Sequence, residues 1–198
     1  MSSALVIIDI QNDFCAGGPL AVPDAEAIIP VVNELVRGFN TVILTQDWHP
    51  VGHVSFASSH PGHVPFSRIR LPHGEQIVWP DHCVQGTRGA EFHRALEIPE
   101  SATVVRKGFL KESESYSAFF HDDGMTPGRL DGVLREAHVA EIMIVGLATD
   151  YCVLHTALAA RARGYQVTVN ESGCRGIDLD GSVARAWSRM EDAGIRRG

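Results

Sequence analysis

Short buried-strand segments that alternate with amphipathic ones constrain the fold of this chain more than any other feature. The strand-like segments cover residues 4–10 (ALVIIDI), 41–47 (TVILTQD), 103–107 (TVVRK), 141–145 (EIMIV) and 166–170 (QVTVN). Apolar residues at helical spacing predict helices over residues 24–39, 130–138, 151–163 and 181–194. Strand followed by helix predicts a three-layer α/β/α fold with a mostly parallel sheet of five to six strands.

Two details of this pattern are less regular. Pro30 falls inside the first helical segment, and proline is unfavourable in a helix interior, so we expect the helix proper to begin near Pro30 after a looser turn. At the other end, only residues 195–198 follow the last helix, and they are too few and too basic for a full sixth strand. We therefore expect the last strand to be truncated or missing.

Length and composition indicate one domain. The 198 residues, 44% of them hydrophobic, are enough for one well-buried core and short for two domains. We predict a single domain over residues 1–198, with an irregular, metal-binding insertion at about 47–100. The formal charge of -7, without a run of basic residues, argues against nucleic acid or an anionic membrane surface as the partner and favours a small molecule.

The lack of a recognisable targeting signal and the spacing of the cysteines both favour a cytoplasmic location. No stretch approaches the ~18 apolar residues of a membrane span, and no signal-peptide pattern precedes the first apolar segment. The four cysteines lack CxxC spacing, so we expect free thiols. These features predict a soluble, cytoplasmic protein.

The segment VGLATDYCV, residues 145–153, has the pattern of a nucleophile at the start of a helix. A buried strand breaks at Gly146, Thr149 or Asp150 can cap the next helix, and Cys152 then lies in its first turn. Unpaired N–H groups and the helix dipole favour a thiolate there, so the pKa of Cys152 is expected to fall. Taken alone, the cysteine is better explained as a small buried hydrophobe, so the nucleophile needs support from the rest of the sequence.

Charged side chains at the ends of other predicted strands support the interpretation of Cys152 as a nucleophile. Asp9, Asp47, Lys107 and Cys152 all fall at carboxyl ends of predicted strands, which meet at one edge of a parallel sheet where ligands bind. A lysine at the end of a buried strand needs an anion nearby, and Asp9 would be that anion. We expect Asp9 to act as the general acid and base, with Lys107 as the charge beside it.

The Asp47-Trp48-His49 segment offers a carboxylate and an imidazole to one metal ion. Two groups are too few for a first-row metal, so a third ligand is needed. His82 is favoured because Pro80 restricts the backbone just before it. Other histidines in the same region compete for this place: His53, His60, His63 and His73.

Five further features of the sequence belong together: IIDIQNDFCAGGPLAV, TQDWHP followed by HVSFAS, WPDHCVQGT, RKGF followed by ESYSAF, and VGLATDYCV. These motifs resemble those of the nicotinamidases and pyrazinamidases of the isochorismatase-like cysteine hydrolase family. The resemblance extends from about Leu5 to Met190. It implies an isochorismatase-like, Rossmann-like fold and hydrolysis of nicotinamide to nicotinate and ammonia, a step of NAD salvage, through a Cys152 thioester. Acceptance of pyrazinamide stays open.

The resemblance also implies roles for individual residues. Asp9, Lys107 and Cys152 match the catalytic triad, and Asp47, His49 and His82 match the ligands of one divalent metal, usually zinc or iron, with manganese also suited. His53 or Ser55 can add to the metal site directly or through water. The oxyanion hole would be the N–H groups of Ala148 and Cys152, with a cis peptide at Leu147-Ala148. The pyridine ring would be lined by Phe14, Trp79, Tyr116 and Tyr151.

Two other functions compete with this one. A hydrolase of the same fold that acts on an N-carbamoyl amide or a vinyl ether would share the sheet and part of the triad, but it would lack the Asp-x-His plus His metal set. A catalytically silent member that only binds a ligand would have degraded site residues. The intact sets in this sequence favour the metal-dependent amidohydrolase. The sequence leaves the metal, the preferred carboxamide and any homo-oligomer open.

Overall fold

Parallel strands alternate with helices along the chain, as predicted. The computed structural model describes residues 2–71, 74–123 and 125–198. The strands are β1 Ser2–Ile8, β2 Val42–Asp47, β3 Arg68–Leu71, β4 Gly74–Ile77, β5 Thr103–Lys107, β6 Val139–Leu147, β7 Gln166–Arg175 and β8 Arg196–Arg197. The α-helices are α1 Ile29–Val36, α2 Leu130–Glu136, α3 Leu154–Ala162 and α4 Ser182–Asp192.

The central sheet has six strands in the order β5-β2-β1-β6-β7-β8, and all neighbouring strands are parallel. The chain builds outward from β1 through β2 to β5, then returns to the other side of β1 with β6. Such a reversal opens a crevice at the carboxyl ends of the two inner strands. Asp9 follows β1 and Cys152 follows β6, so both lie at this crevice.

The two faces of the sheet are covered by different elements. Successive side chains of a strand point to opposite faces, so Val6 packs in one core cluster and Leu5 in the other. The first cluster contains the buried faces of α2, α3 and α4. The second contains that of α1 together with residues of the segment between β2 and β5, including Trp79. The result is the three-layer arrangement that the sequence predicted.

Helix α1 begins where proline allows it. Residues Ala25–Ile28 form a 3₁₀ turn, and α1 follows with Pro30 in its first turn, where the missing N–H costs no hydrogen bond. The prediction of a looser turn before a helix near Pro30 is confirmed.

The structure differs from the predicted pattern in two places. The segment at 47–100, predicted to be irregular, contains the antiparallel pair β3 and β4, whose alternation of exposed polar residues gave no clear strand signal. Strand β7 was predicted to end at Asn170 but continues to Arg175, with a bulge in its pairing to β6. Within the bulge, the Asn170 side chain accepts hydrogen bonds from the N–H of Gly173 (2.9 Å) and the hydroxyl of Ser172 (2.7 Å).

The last strand is present but short, as expected. Its two residues pair with Thr168 and Val169 of β7. The guanidinium of Arg197 binds Glu171, with Nε 2.8 Å from Oε2, and lies 4.6 Å from the centre of the Trp187 ring. Among the described residues, no helix has the length and apolar character needed to cross a membrane.

Removal of core volume from the central strand should destabilise the fold. Leu5 is fully buried in β1, so Leu5→Ala leaves a cavity and is expected to lower the free energy of unfolding by ~2–5 kcal/mol. Val104→Ala on edge strand β5, where the side chain is 40% exposed, should change it by less than ~1 kcal/mol. Urea unfolding of both variants measures the difference, and equal losses would contradict the assignment of Leu5 to the core.

Candidate active site

Cys152 lies in a π-helical turn, Thr149–Val153, that connects β6 to α3. The turn directly follows a cis peptide bond between Leu147 and Ala148, as the family resemblance implied. The Cys152 side chain is buried in the core cluster beside α3. The sequence therefore placed this cysteine correctly, at the start of a helical segment and at the carboxyl end of a strand.

The predicted helix cap is wrong. Ala148 precedes the turn, and neither Thr149 nor Asp150 caps it through a side-chain hydrogen bond. The Asp150 carboxylate instead accepts hydrogen bonds from the N–H groups of Ile177 (3.0 Å) and Asp178 (2.9 Å). Hydrogen bonds to distant residues compete with local capping. Here they link the turn that carries Cys152 to the loop after β7.

Lys107 is the centre of the candidate site. Its ammonium Nζ lies 2.9 Å from Asp9 Oδ2, 2.5 Å from Asp47 Oδ1 and 3.2 Å from Cys152 Sγ. A fourth contact, of 3.2 Å, joins Nζ to the carbonyl of Ser115. The anion predicted beside Lys107 is present, and a second carboxylate accompanies it. The strand register explains this, since Asp47 of β2 pairs directly with Lys107 of β5.

Asp9 is fixed beside the ammonium by a second contact. It is fully buried, and its Oδ1 accepts a hydrogen bond of 2.6 Å from the hydroxyl of Thr45. Its carboxylate, the Asp47 carboxylate and Cys152 Sγ each offer an atom within 4.8 Å of the others. Burial raises the pKa of Asp9, although Lys107 opposes the change. A carboxylate with a raised pKa beside a thiol is suited to take and return a proton.

The expectation that the pKa of Cys152 falls is wrong for this site as it stands. Burial raises the pKa of the thiol well above its ordinary value, and the nearby Lys107 compensates only in part. The expectation considered the helix terminus alone, whereas the sulfur is also removed from water and faces two carboxylates. The thiol therefore keeps its proton until a base accepts it.

Asp47, His49 and His82 form a set of candidate metal ligands. All three are buried, and their ligand atoms lie within 4.8 Å of one another. Burial acts to raise the pKa of Asp47, but Lys107 and His49 outweigh it and lower the pKa. Burial and the neighbouring His49 lower the pKa of His82 to about 4, so this imidazole is neutral, as metal ligation requires.

Backbone carbonyls fix the orientation of both imidazoles. Nδ1 of His49 donates to the carbonyl of Gly108, and Nδ1 of His82 donates to the carbonyl of Pro80, each over 2.8 Å. In the neutral imidazole each Nε2 then carries the lone pair, and the buried Nε2 of His49 has no hydrogen-bond partner among the described residues. Burial acts to lower the pKa of His49 but Asp47 outweighs it and raises the pKa, so binding of a metal ion would displace a proton there. An unpaired buried nitrogen facing a carboxylate and a second imidazole fits a divalent cation.

The competing histidines are arranged differently. His53 stacks on His49 with ring centres 4.2 Å apart, while its Nδ1 contacts the Ser55 hydroxyl at 2.7 Å and its Nε2 the Ser113 carbonyl at 3.2 Å. His53 thus supports His49 by packing. His60 contacts the Val54 carbonyl, and His63 is exposed. His73 lies outside the described residues.

A small cavity of about 20 Å³ lies against the Cys152 thiol and against Asp47 and His82 of the ligand set. Its free volume is that of about one water molecule, well below that of a ligand pocket, so its walls must move apart to admit an aromatic ring. The Tyr116 hydroxyl accepts hydrogen bonds from Trp79 Nε1 (2.9 Å) and Gln76 Nε2 (3.0 Å), which fixes one wall. All residues expected around the substrate line the cavity, namely Phe14, Trp79, Tyr116, Tyr151, Ala148 and Cys152.

Two functional neighbours were missed from the sequence. Glu114 is buried, lines the cavity, and offers a carboxylate oxygen within 4.8 Å of His49 and His53. Gln11 clamps the end of β2, because its side chain donates to the Asp47 carbonyl and accepts from the Asp47 N–H, both over 2.8 Å. Both lie inside motifs quoted above, Gln11 in IIDIQNDFCAGGPLAV and Glu114 at the start of ESYSAF, but nothing in those motifs marked either side chain as part of the site.

Comparison with known proteins identifies the family. Residues 3–196 match the isochorismatase domain. The chain belongs to the isochorismatase family. It is 47% identical over 194 residues to a nicotinamidase of Acinetobacter baylyi, a match that covers 98% of this chain and 91% of that protein.

Solved structures of the family have the same fold. A nicotinamidase and pyrazinamidase of Acinetobacter baumanii is 49% identical and superposes with a TM-score of 0.97 over 99% of this chain and 95% of that one. A pyrazinamidase of Pyrococcus horikoshii, solved in complex with zinc, is 35% identical with a TM-score of 0.81 over 100% of this chain and 99% of that one.

Loss of the Lys107 charge should destabilise the metal-free protein. Lys107→Met leaves two buried carboxylates without their cation, which is expected to lower the free energy of unfolding by ~3–5 kcal/mol at neutral pH. Arg135→Met removes an exposed ion pair with Asp131 and should cost less than ~1 kcal/mol. Denaturant unfolding after chelation tests this, and equal effects would contradict a central role for Lys107.

A methyl group at Gly108 should disturb metal binding. A Cβ there would clash with the His49 ring, so Gly108→Ala is expected to weaken metal affinity by ~10–100-fold through displacement of that imidazole. Gly62→Ala is the matched control, because Gly62 also has a positive φ but open space around it. Competitive chelator titration measures both affinities, and an equal loss would assign the effect to backbone strain.

Proposed function

We propose that this chain is a metal-dependent cysteine amidohydrolase that converts nicotinamide to nicotinate and ammonia. One observation carries this proposal. Cys152, Asp47 and His82 line the same small cavity with aromatic walls, and His49 offers a ligand atom within 4.8 Å of those of Asp47 and His82. Membership of the isochorismatase family and 47% identity to a nicotinamidase support the same reaction.

The walls of the cavity suit a flat pyridine ring. Trp79 and Tyr151 meet edge to face with ring centres 4.8 Å apart, and Tyr116 completes this side. A divalent ion held by Asp47, His49 and His82 would supply a Lewis-acid anchor for the pyridine nitrogen. The carboxylate and two imidazoles suit zinc or iron, and also manganese.

Formation of the thioester needs a nucleophile and a base. Cys152 Sγ attacks the carboxamide carbon while its proton passes to Asp9, whose raised pKa suits a base. The N–H groups of Ala148 and Cys152 would stabilise the negative charge that develops on the carboxamide oxygen. Both residues border the cavity at the required end of β6.

The Asp9 carboxyl group also transfers the proton in the remaining steps. Asp9 returns the proton to the nitrogen, the C–N bond breaks, and ammonia leaves a thioester on Cys152. Asp9 then takes a proton from water, whose oxygen attacks the thioester carbon. The C–S bond breaks, Asp9 gives its proton to the Cys152 thiolate, and the carboxylic acid product loses its proton to solvent to become nicotinate. Lys107 Nζ, 2.9 Å from Asp9 Oδ2, stabilises the anionic form of Asp9.

The nucleophile and the metal set can be tested in one assay. Cys152→Ala should lower ammonia release from nicotinamide by at least about a thousandfold, because the thioester route is lost. Chelated wild-type protein should lose activity and recover it on addition of Zn²⁺ or Fe²⁺. An enzyme-coupled ammonia assay measures both.

Cys174→Ala is the matched control, since Cys174 is another buried cysteine and lies in β7, outside the cavity. Its activity should stay close to that of the wild type. If the metal-loaded wild type releases no ammonia from nicotinamide, the proposed function is overturned. If activity survives chelation but not Cys152→Ala, the metal set has another role.

A further inference from the structure

A second group of potential metal ligands lies outside the cavity. Cys15, Glu26 and His93 each offer a ligand atom within 4.8 Å of the other two. They combine a thiol, a carboxylate and an imidazole, which come from three separate segments of the chain. None of them takes part in the reaction steps described above.

Hydrogen bonds fix the three segments in place. The N–H of Cys15 donates to the Asn12 carbonyl (3.1 Å), and the N–H of His93 donates to the Ile10 carbonyl (2.9 Å). Glu26 Oε1 accepts from the N–H of Ala16 (2.8 Å), next to Cys15. The ligand residues are therefore held together before an ion binds, which reduces the ordering that binding requires.

The charge of Glu26 is not balanced by a cationic side chain among the described residues, since no ion pair involves it there. Burial and the adjacent Glu26 raise the pKa of the Cys15 thiol to about 11. A cation would neutralise Glu26 and displace the thiol proton to solvent.

An ion can reach this cluster from outside. Cys15 and His93 both line an open groove of about 550 Å³, together with Asn12, Arg88 and Arg94. His93 Nδ1 receives only a long contact of 3.3 Å from the exposed N–H of Ala95. If Nε2 is the ligand, the proton moves to Nδ1 and this contact is lost at small cost.

We propose that Cys15, Glu26 and His93 form a second site for a divalent metal ion of the zinc class, separate from the set in the cavity. Thiolate and imidazole favour zinc over calcium or magnesium, and three protein ligands leave a fourth position open to the groove. Because Cys15 follows Phe14, an ion here would fasten one wall of the cavity to the segment that carries His93.

Cobalt(II) is a suitable probe, because thiolate ligation gives a charge-transfer absorption in the near ultraviolet that carboxylate and imidazole do not. The metal-free full chain is titrated with Co²⁺. The wild type should bind two equivalents, with the charge-transfer band accompanying one of them. Zn²⁺ should abolish the band, and a zinc-loaded protein should melt at a higher temperature than one filled only at the cavity site.

Variants separate the two sites. Cys15→Ser should bind one equivalent without the band, and this remaining equivalent shows that the variant is folded. Glu26→Gln keeps the buried thiol. It should lower the affinity for the Co²⁺ ion that gives the charge-transfer band by at least roughly tenfold. Cys152→Ala and His82→Ala should keep the band, because neither residue belongs to this cluster.

Two outcomes would overturn the proposal. One is a wild type that binds a single equivalent without a thiolate band. The other is a band that survives in Cys15→Ser or is lost in Cys152→Ala, because the thiolate ligand would then be the cavity cysteine. The number of bound Co²⁺ equivalents and the charge-transfer band are both read from absorption spectra. Neither depends on the amidohydrolase activity proposed above.

Discussion

The buried ammonium of Lys107 is the interaction on which the rest of the site depends. Two carboxylates at this depth would repel each other and lose their hydration without a cation between them. Lys107 contacts Asp9 on the thiol side and Asp47 on the ligand side, so one charge supports both. Asp9, the proposed proton-transfer group, and Asp47, the proposed metal ligand, are consequently parts of one electrostatic unit.

Much of this site could be predicted because its residues lie at the carboxyl ends of parallel strands. Buried-strand patterns locate the strands along the chain, and parallel strands bring their carboxyl ends to a single edge of the sheet. Asp9, Asp47, Lys107 and Cys152 could therefore be grouped without any knowledge of contacts. His82 was favoured through Pro80, and the structure shows that the Pro80 carbonyl itself holds the imidazole.

Features that depend on distant partners could not be predicted. Asp150 has the right residue type for a helix cap, but its carboxylate binds backbone from the loop after β7. The pKa of Cys152 depends on burial and on charges from β1, β2 and β5, which no local pattern reveals. Glu114 and Gln11 look like ordinary loop residues until packing buries them beside the histidines and the β2 end.

The bulge in β7 has a consequence for association between molecules. Strand β8 pairs with Thr168 and Val169, and the adjacent Gly198 bonds to Val169 and Glu171, so the outer edge of β7 is covered up to Glu171. A long flat edge would be a template for pairing with another chain. Here the Asn170 side chain already occupies the N–H of Gly173, and the bulge bends the strand away from a flat geometry. The part of β7 beyond Glu171 is therefore a poor template for pairing with a further strand.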